Sequence, residues 1–527
     1  MTLRIEHIAI VGCGFTGTSA LHQIVERELC HRITVFELSG DFGPGYAYNP
    51  EENEHYLLNN TTDSLYLDPD KKCAFLNWLE AKQLPNINLS PKGNVPRKLY
   101  GLFLRESVDA AARKARQRGI KVEFVTHEIT GIHERDGVVE LRWCNTDTSA
   151  DRVIMATGRC PEIEYLKPTS TCGSARYVNS HILNEEIDAI GSDETILVLG
   201  TSLSAYDVIN RLFAPETGCS FIRAANGELV YQRGSNSRNV ILASRSGRLK
   251  KFQSLRPAEV STNEFDDVAA RFTVAGSKIS LEVIGQAIWS DTGAAIDSLD
   301  LNDVATPYRH CKDTASVNEK AGELLSQDLI LARSKESQNR IVDFFSQERI
   351  RIWDLFARRA LTPESEQAYR RMYESATLSF AAPCPISTGE RLLALHRAGV
   401  LEVITGVGYP GLTADGSLFE TEHQYGSVSA STMINATGTV DRHLFSHRQP
   451  AWIQDLVHQG TLRPYILGDR QMPGADIDLN TYRPPGTKAI YFANMLLWGP
   501  GFFTSSASTM ATIVSQILDQ IGSELES

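Results

Sequence analysis

Ile8-Ala9-Ile10-Val11-Gly12-Cys13-Gly14-Phe15-Thr16-Gly17 reads as a buried strand, a glycine turn and the start of a helix. The helix pattern continues through Leu21, Ile24 and Val25. Each glycine in this G-x-G-x-x-G turn has its own task. Gly12 permits the tight exit from the strand, Gly14 lets a pyrophosphate approach the backbone, and Gly17 brings helix and sheet close together. Phe15 and Thr16 open the helix, where free N–H groups and the helix dipole favour an anion. The next apolar run, Ile33-Thr34-Val35-Phe36, ends in Glu37, 20 residues past Gly17. That is the expected place for a carboxylate binding ribose hydroxyls. An acidic ribose partner near the N-terminus suits FAD. The plain alternative is a glycine turn that binds nothing.

The device recurs at Ile196-Leu197-Val198-Leu199-Gly200-Thr201-Ser202-Leu203-Ser204-Ala205. Two dinucleotide turns on one chain imply two nucleotide cofactors and electron transfer between them. The second strand of this copy is expected at Val240-Ile241-Leu242-Ala243, running into Ser244-Arg245. A guanidinium there would clamp a 2′-phosphate and select NADPH over NADH. A surface arginine is the alternative.

At 527 residues the chain exceeds one core, and two or three domains are expected. A net charge of −12 argues against nucleic acid as a partner. A strand and nucleotide loop begin almost at once, which leaves no room for a signal peptide. The apolar stretch 489–503 is interrupted by Asn494, Gly499 and Pro500, and falls short of the ~20 residues of a membrane helix. The expectation is a cytoplasmic protein with no membrane partner, open to homo-oligomerisation. The nine cysteines form no CxxC pair and no zinc spacing with histidine, so they read as free thiols.

The fold class expected is α/β, with two Rossmann-like dinucleotide domains and a helical subregion. The Ala156-Thr157-Gly158 triplet follows the strand Arg152-Val153-Ile154-Met155, and Ala436-Thr437-Gly438 follows Thr432-Met433-Ile434-Asn435. The echo suggests a chain that leaves the first domain, builds the second and returns. The boundaries drawn are 1–165 for the first FAD segment, 166–315 for the NAD(P) domain, 316–380 for a helical segment and 381–527 for the second FAD segment. Leu324, Leu329, Ile341, Phe344, Ile350, Trp353 and Phe356 mark the buried stripe of the helical part. Residues 214–238 read as an insertion or long loop.

Three stretches are more specific than the glycine turns: Gly43-Pro44-Gly45-Tyr46-Ala47-Tyr48, His55-Tyr56-Leu57-Leu58-Asn59, and Pro96-Arg97-Lys98-Leu99-Tyr100-Gly101. With them the chain resembles the bacterial FAD/NAD(P)-binding protein family, a relative of class B flavoprotein monooxygenases and amine N-hydroxylases. The resemblance implies an FAD domain in two segments with an NADPH domain inserted. At the cofactors it implies Arg97, the Ala156-Thr157-Gly158 triplet, Gly200, Ser202 and Ser204. The second turn departs from the family's G-x-G-x-[ST]-A-x-D pattern, because Ser202 replaces the middle glycine while Gly200, Ser204, Ala205 and Asp207 remain. A side chain there would crowd a pyrophosphate. Asn494 stands where such flavoproteins often carry an aspartate, and is still able to hydrogen-bond a ribityl hydroxyl.

Asn59 and Asn60 are the candidate catalytic pair, in the loop resembling a flavin-edge segment; turn chemistry is the alternative. Thr504 and Ser505 open a helix whose N–H groups would meet flavin carbonyl oxygens; plain N-capping is the alternative. No Ser-His-Asp set, paired carboxylates or HExxH motif stands out, so a flavin would carry the reaction. The aromatic stretch from Trp498 to Phe503 suits a dry pocket. The leading reading is an NADPH-consuming monooxygenase acting with O2 on a small substrate, amine N-hydroxylation first. A flavin dehydrogenase or oxidase and a non-catalytic nucleotide sensor remain open.

Overall fold

The computed structural model describes residues 4–84, 93–158, 160–163, 165, 173–275, 277–293, 303, 305–335, 338–501 and 506–526. The apolar runs on either side of the first glycine turn become neighbouring parallel strands. Ile5–Val11 pairs with Cys30–Phe36 on one side and Arg152–Met155 on the other. Ile8, Ala9, Ile10, Ile33 and Val35 are completely buried, as strands covered on both faces require. Lys121–Val125 and Ile490–Phe492 complete a five-stranded parallel sheet.

The second glycine turn is built the same way. Thr195–Leu199 lies between Asn239–Ser244 and Thr432–Asn435, with Leu401–Thr405 and Arg176–Val178 outside them. The two sheets match strand for strand. In each, the strand before the Ala-Thr-Gly triplet is preceded by a three-stranded antiparallel meander. Gly131–Arg135, Val138–Trp143 and Thr146–Ala150 serve the first unit. Gly411–Leu412, Phe419–His423 and Gly426–Ala430 serve the second.

This topology corrects the boundary drawn at 381. Leu401–Thr405 and Thr432–Asn435 are strands of the second sheet, so Ala436-Thr437-Gly438 ends that unit and does not mark a return to the first. The triplets repeat because each abuts the first glycine of its own turn. A Cβ on Gly12 would lie 2.6 Å from the Ala156 oxygen, and one on Gly200 would lie 2.4 Å from that of Ala436. The chain regains the first unit by Ala451–His458, whose Asp455 accepts a hydrogen bond from the Ile132 N–H at 3.1 Å.

The helical region also begins earlier than 316. Asn263–Ala275 and Leu281–Thr292 pack with Arg340–Ala357, with Phe265 edge-on to Phe344 at 5.6 Å. Thr314–Arg333, expected in the helical segment, instead buries Val317, Ala321, Leu325 and Leu329 in the core of the second unit. Leu325 is the buried residue there and Leu324 is only partly covered, a one-residue shift of the expected stripe. Residues 214–238 contain an antiparallel hairpin, Ser220–Arg223 with Leu229–Gln232.

Candidate nucleotide sites

In the first turn Gly12 has φ +93°, where a side chain is strained, and a Cβ on Gly17 would lie 2.0 Å from the Gly12 oxygen. These contacts force glycine at both positions. Gly14 has a protein neighbour as well. Its open side faces Gly45, whose Cα lies 3.3 Å from a Cβ built on Gly14. The Gly43-to-Tyr48 loop therefore lies on the turn, and the Gly43 N–H donates to the Cys13 oxygen at 2.7 Å. Phe15 and Thr16 are buried at the start of Phe15–Arg27. Glu37 reaches back to the turn. One carboxylate oxygen accepts from the Cys13 N–H at 2.9 Å, the other from the Ser39 N–H at 3.1 Å and its hydroxyl at 2.9 Å.

Four expected contributors follow consecutive strands of the sheet. Glu37 follows Cys30–Phe36, the glycine turn follows Ile5–Val11, Ala156-Thr157-Gly158 follows Arg152–Met155, and Asn494 follows Ile490–Phe492. They line one carboxyl edge, where parallel α/β sheets bind their ligands. Asn494 is 3% exposed; its amide donates to the Thr157 hydroxyl at 3.2 Å and its oxygen accepts from the Leu496 N–H at 3.0 Å. It thus ties the ends of two strands together and caps the turn Met495–Trp498.

Thr504 and Ser505 lie outside the described residues. Just beyond them, Ser506 and Ser508 are buried with their hydroxyls 3.0 Å apart, and the Thr509 hydroxyl has no hydrogen-bond partner. Arg349, from the helical insertion, donates to the Ser508 hydroxyl at 3.1 Å. Burial makes its charge costly, and among the described residues it has no carboxylate partner. A guanidinium beside the positive end of Ala507–Glu526 calls for an electron-rich group between them. Arg349 gave no local signal in the sequence; a helix far along the chain delivers it.

Asn59 and Asn60 lie where the first unit meets the second. The Asn59 carbonyl accepts from the Gln253 amide of the second unit. The Asn60 amide reaches the Ser64 hydroxyl at 3.4 Å, which is turn chemistry. Asn94 donates to the Leu58 oxygen at 3.0 Å and closes the loop from behind.

At the second turn Gly200 has φ +122°, and its N–H donates to the Ala243 oxygen at 2.8 Å. Ser202 caps Leu203–Leu212 with an extended backbone, φ −119°, so the position makes no conformational demand for glycine. Ser204 faces Gly438, whose Cβ would come within 3.4 Å of its hydroxyl. The Thr201 hydroxyl donates to the Arg248 oxygen at 2.7 Å, which folds the 245–253 segment over the turn. Arg245 is exposed at the end of Asn239–Ser244.

Arg97, expected at a cofactor, has its guanidinium 2.8 Å from the Asp207 carboxylate, across the two units. The described cysteines are all free. Burial pushes the Cys13 and Cys30 thiols up to about 12 and Cys160 up to about 11, so none of these supplies a thiolate at neutral pH. Among the described residues no cluster has the makings of a metal site. No helix among them is long and apolar enough to cross a membrane.

Comparison with known proteins agrees with this geometry. Residues 9–160 match a family model described as FAD-NAD(P)-binding. The uncharacterized protein YdhS of Escherichia coli (strain K12) is 28% identical over 259 residues, which cover 46% of this chain and 46% of that protein. The alignment thus spans about half of that relative's length. Among solved structures, L-lysine 6-monooxygenase from Pseudomonas syringae is 14% identical with a TM-score of 0.50, and 99% of each chain is covered. OTEMO in complex with FAD and NADP is 12% identical with a TM-score of 0.46, covering 100% of this chain and 84% of that one. Residues 9–160 thus match an FAD-NAD(P)-binding family model, and the chain's fold is similar to that of the lysine monooxygenase.

Proposed function

We propose that this protein is an FAD-dependent, NADPH-consuming monooxygenase acting on a small amine or amino acid. The observation that carries the reading is the pair of equivalent glycine turns, each on its own parallel sheet, with the loop at Asn59 bonded to Gln253 between them. The FAD site would comprise Gly12, Gly14, Phe15, Thr16, Gly17, Glu37, the 156–158 triplet and Asn494. The NADPH site would comprise Gly200, Ser202, Ser204 and Arg245. Bound flavin would supply the redox chemistry, taking reducing equivalents from NADPH and passing them to O2. The protein's own share is orientation and exclusion of water. Arg349 and the buried hydroxyls of Ser506, Ser508 and Thr509 would hold the electron-rich edge of the ring. Asn59 would offer its carboxamide where the two units meet. The raised thiols of Cys13, Cys30 and Cys160 favour oxygen over a thiol as the final acceptor.

The purified protein should be yellow, and anaerobic NADPH should bleach it. Turnover of an amine under labelled oxygen should add one labelled atom to the product. Full-rate product formation with another electron acceptor and no oxygen would replace this reading with a flavin dehydrogenase.

A further inference from the structure

The family-like stretches at 55–59 and 96–101 lie where the two units meet. Arg97 opens Arg97–Gln117 in the first unit, and Asp207 lies in Leu203–Leu212, the helix that follows the second glycine turn. Their ion pair is well covered, with the side chains 16% and 10% exposed. The Tyr56 ring, fully buried, lies 5.9 Å from both the Arg97 and Arg211 guanidinium groups. Its hydroxyl donates to Asn184 of the second unit at 3.4 Å.

Glu52 enters this joint as an extra acid. It is 6% exposed, and one carboxylate oxygen has no hydrogen-bond partner. The charged groups facing it are Arg97 from one helix and Asp207 and Arg211 from the other. Tyr56 of its own loop completes the titratable surroundings, its phenol held neutral by burial. Arg97 is committed to Asp207, and Arg211 makes two hydrogen bonds to Asp188. Three acids thus share two cations, and Glu52 is the acid without a cation of its own. Burial in that position favours the protonated form of the carboxyl.

We propose that Arg97, Asp207 and the buried extra acid Glu52 form a joint that positions the second nucleotide helix against the first unit. The joint itself does not depend on the flavoenzyme reading. Burial, opposed by Arg97, pushes the Glu52 carboxyl up to about 7. A folded-state value raised from 4.5 to about 7 means that stability falls as pH rises through this window and is flat above it.

Equilibrium unfolding of wild type, Glu52→Gln and Asp207→Asn tests this without any nucleotide. From pH 6 to 8 the wild-type folding equilibrium should drop about tenfold relative to Glu52→Gln. In Asp207→Asn, Arg97 is released to pair with an ionised Glu52, so the tenfold step should shrink or move to lower pH. Wild type should also show the infrared band of a protonated carboxyl at pH 6 that Glu52→Gln lacks. Parallel pH profiles for wild type and Glu52→Gln, an undiminished step in Asp207→Asn, or no such band would each overturn the joint. A protein that binds no flavin would sink the enzymatic reading and leave these three outcomes readable.

Discussion

Lys250 places an ammonium group in the second unit where no acid among the described residues pairs with it. The residue is 8% exposed, and its Nζ donates to the Leu378 oxygen at 2.6 Å. Burial, with Arg248 nearby, brings its proton affinity down from 10.5 to about 8. A lysine with a lowered folded-state value destabilises the protein below about pH 8, and the penalty fades as pH rises toward 10.5. Lys250→Met should therefore raise stability at pH 7 by roughly 1–3 kcal/mol, less the lost hydrogen bond. The gain should vanish by pH 10.5, and a gain independent of pH would contradict the charge argument. Arg245 is the opposite case, an exposed cation at a strand end. If it meets a 2′-phosphate, Arg245→Ala should raise the KM for NADPH by at most about 5- to 150-fold, equivalent to about 1–3 kcal/mol, and leave that for NADH nearly unchanged. Equal use of both nucleotides by the parent protein would remove the basis for that role.

At the scale of elements, the helical insertion acts as a clamp on the turn after the last strand. Arg370, in the π-helical turn Tyr369–Tyr373, pairs with Glu366 at 2.8 Å, both side chains 3% exposed. It donates to the Trp498 and Gly499 carbonyls at 3.1 and 2.9 Å, and its guanidinium lies 4.9 Å from the Trp498 ring. Glu374, whose carboxyl burial pushes upward, accepts from the Trp498 indole N–H at 3.0 Å. Arg370→Ala leaves Glu366 buried and unpaired and should cost about 3–5 kcal/mol. Adding Glu366→Gln should recover part of that loss in thermal unfolding; no recovery would place the cost in packing instead. None of this clamp was legible in the sequence. The glycine turns were, because strand, turn and helix start are encoded within ten consecutive residues. Arg349, Arg370 and Glu374 act on a segment more than a hundred residues away, and no local pattern announces such a contact.

For the whole molecule the two sheets are the same topology built twice, and this is where sequence reading misplaced a boundary. Ala436-Thr437-Gly438 was as visible as Ala156-Thr157-Gly158, but pairing partners are set by sheet register, which short strands do not declare. The repeated geometry yields a crossed prediction. Gly12 at φ +93° and Gly200 at φ +122° each press against the carbonyl of their own triplet, at 2.6 and 2.4 Å for a Cβ. Alanine at either position adds about 1–2 kcal/mol of backbone strain and forces its turn away from the adjacent strand. If the first turn holds flavin and the second NADPH, Gly12→Ala should purify largely colourless. Gly200→Ala should keep its flavin absorbance and require far more NADPH for anaerobic bleaching. Both variants should retain the wild-type circular dichroism, since each sheet keeps its other strands. Loss of flavin in both would mean that the two turns serve one ligand or depend on each other for folding. Normal NADPH bleaching of Gly200→Ala would move the reductant's site away from the second sheet, and with it the functional meaning of the duplicated fold.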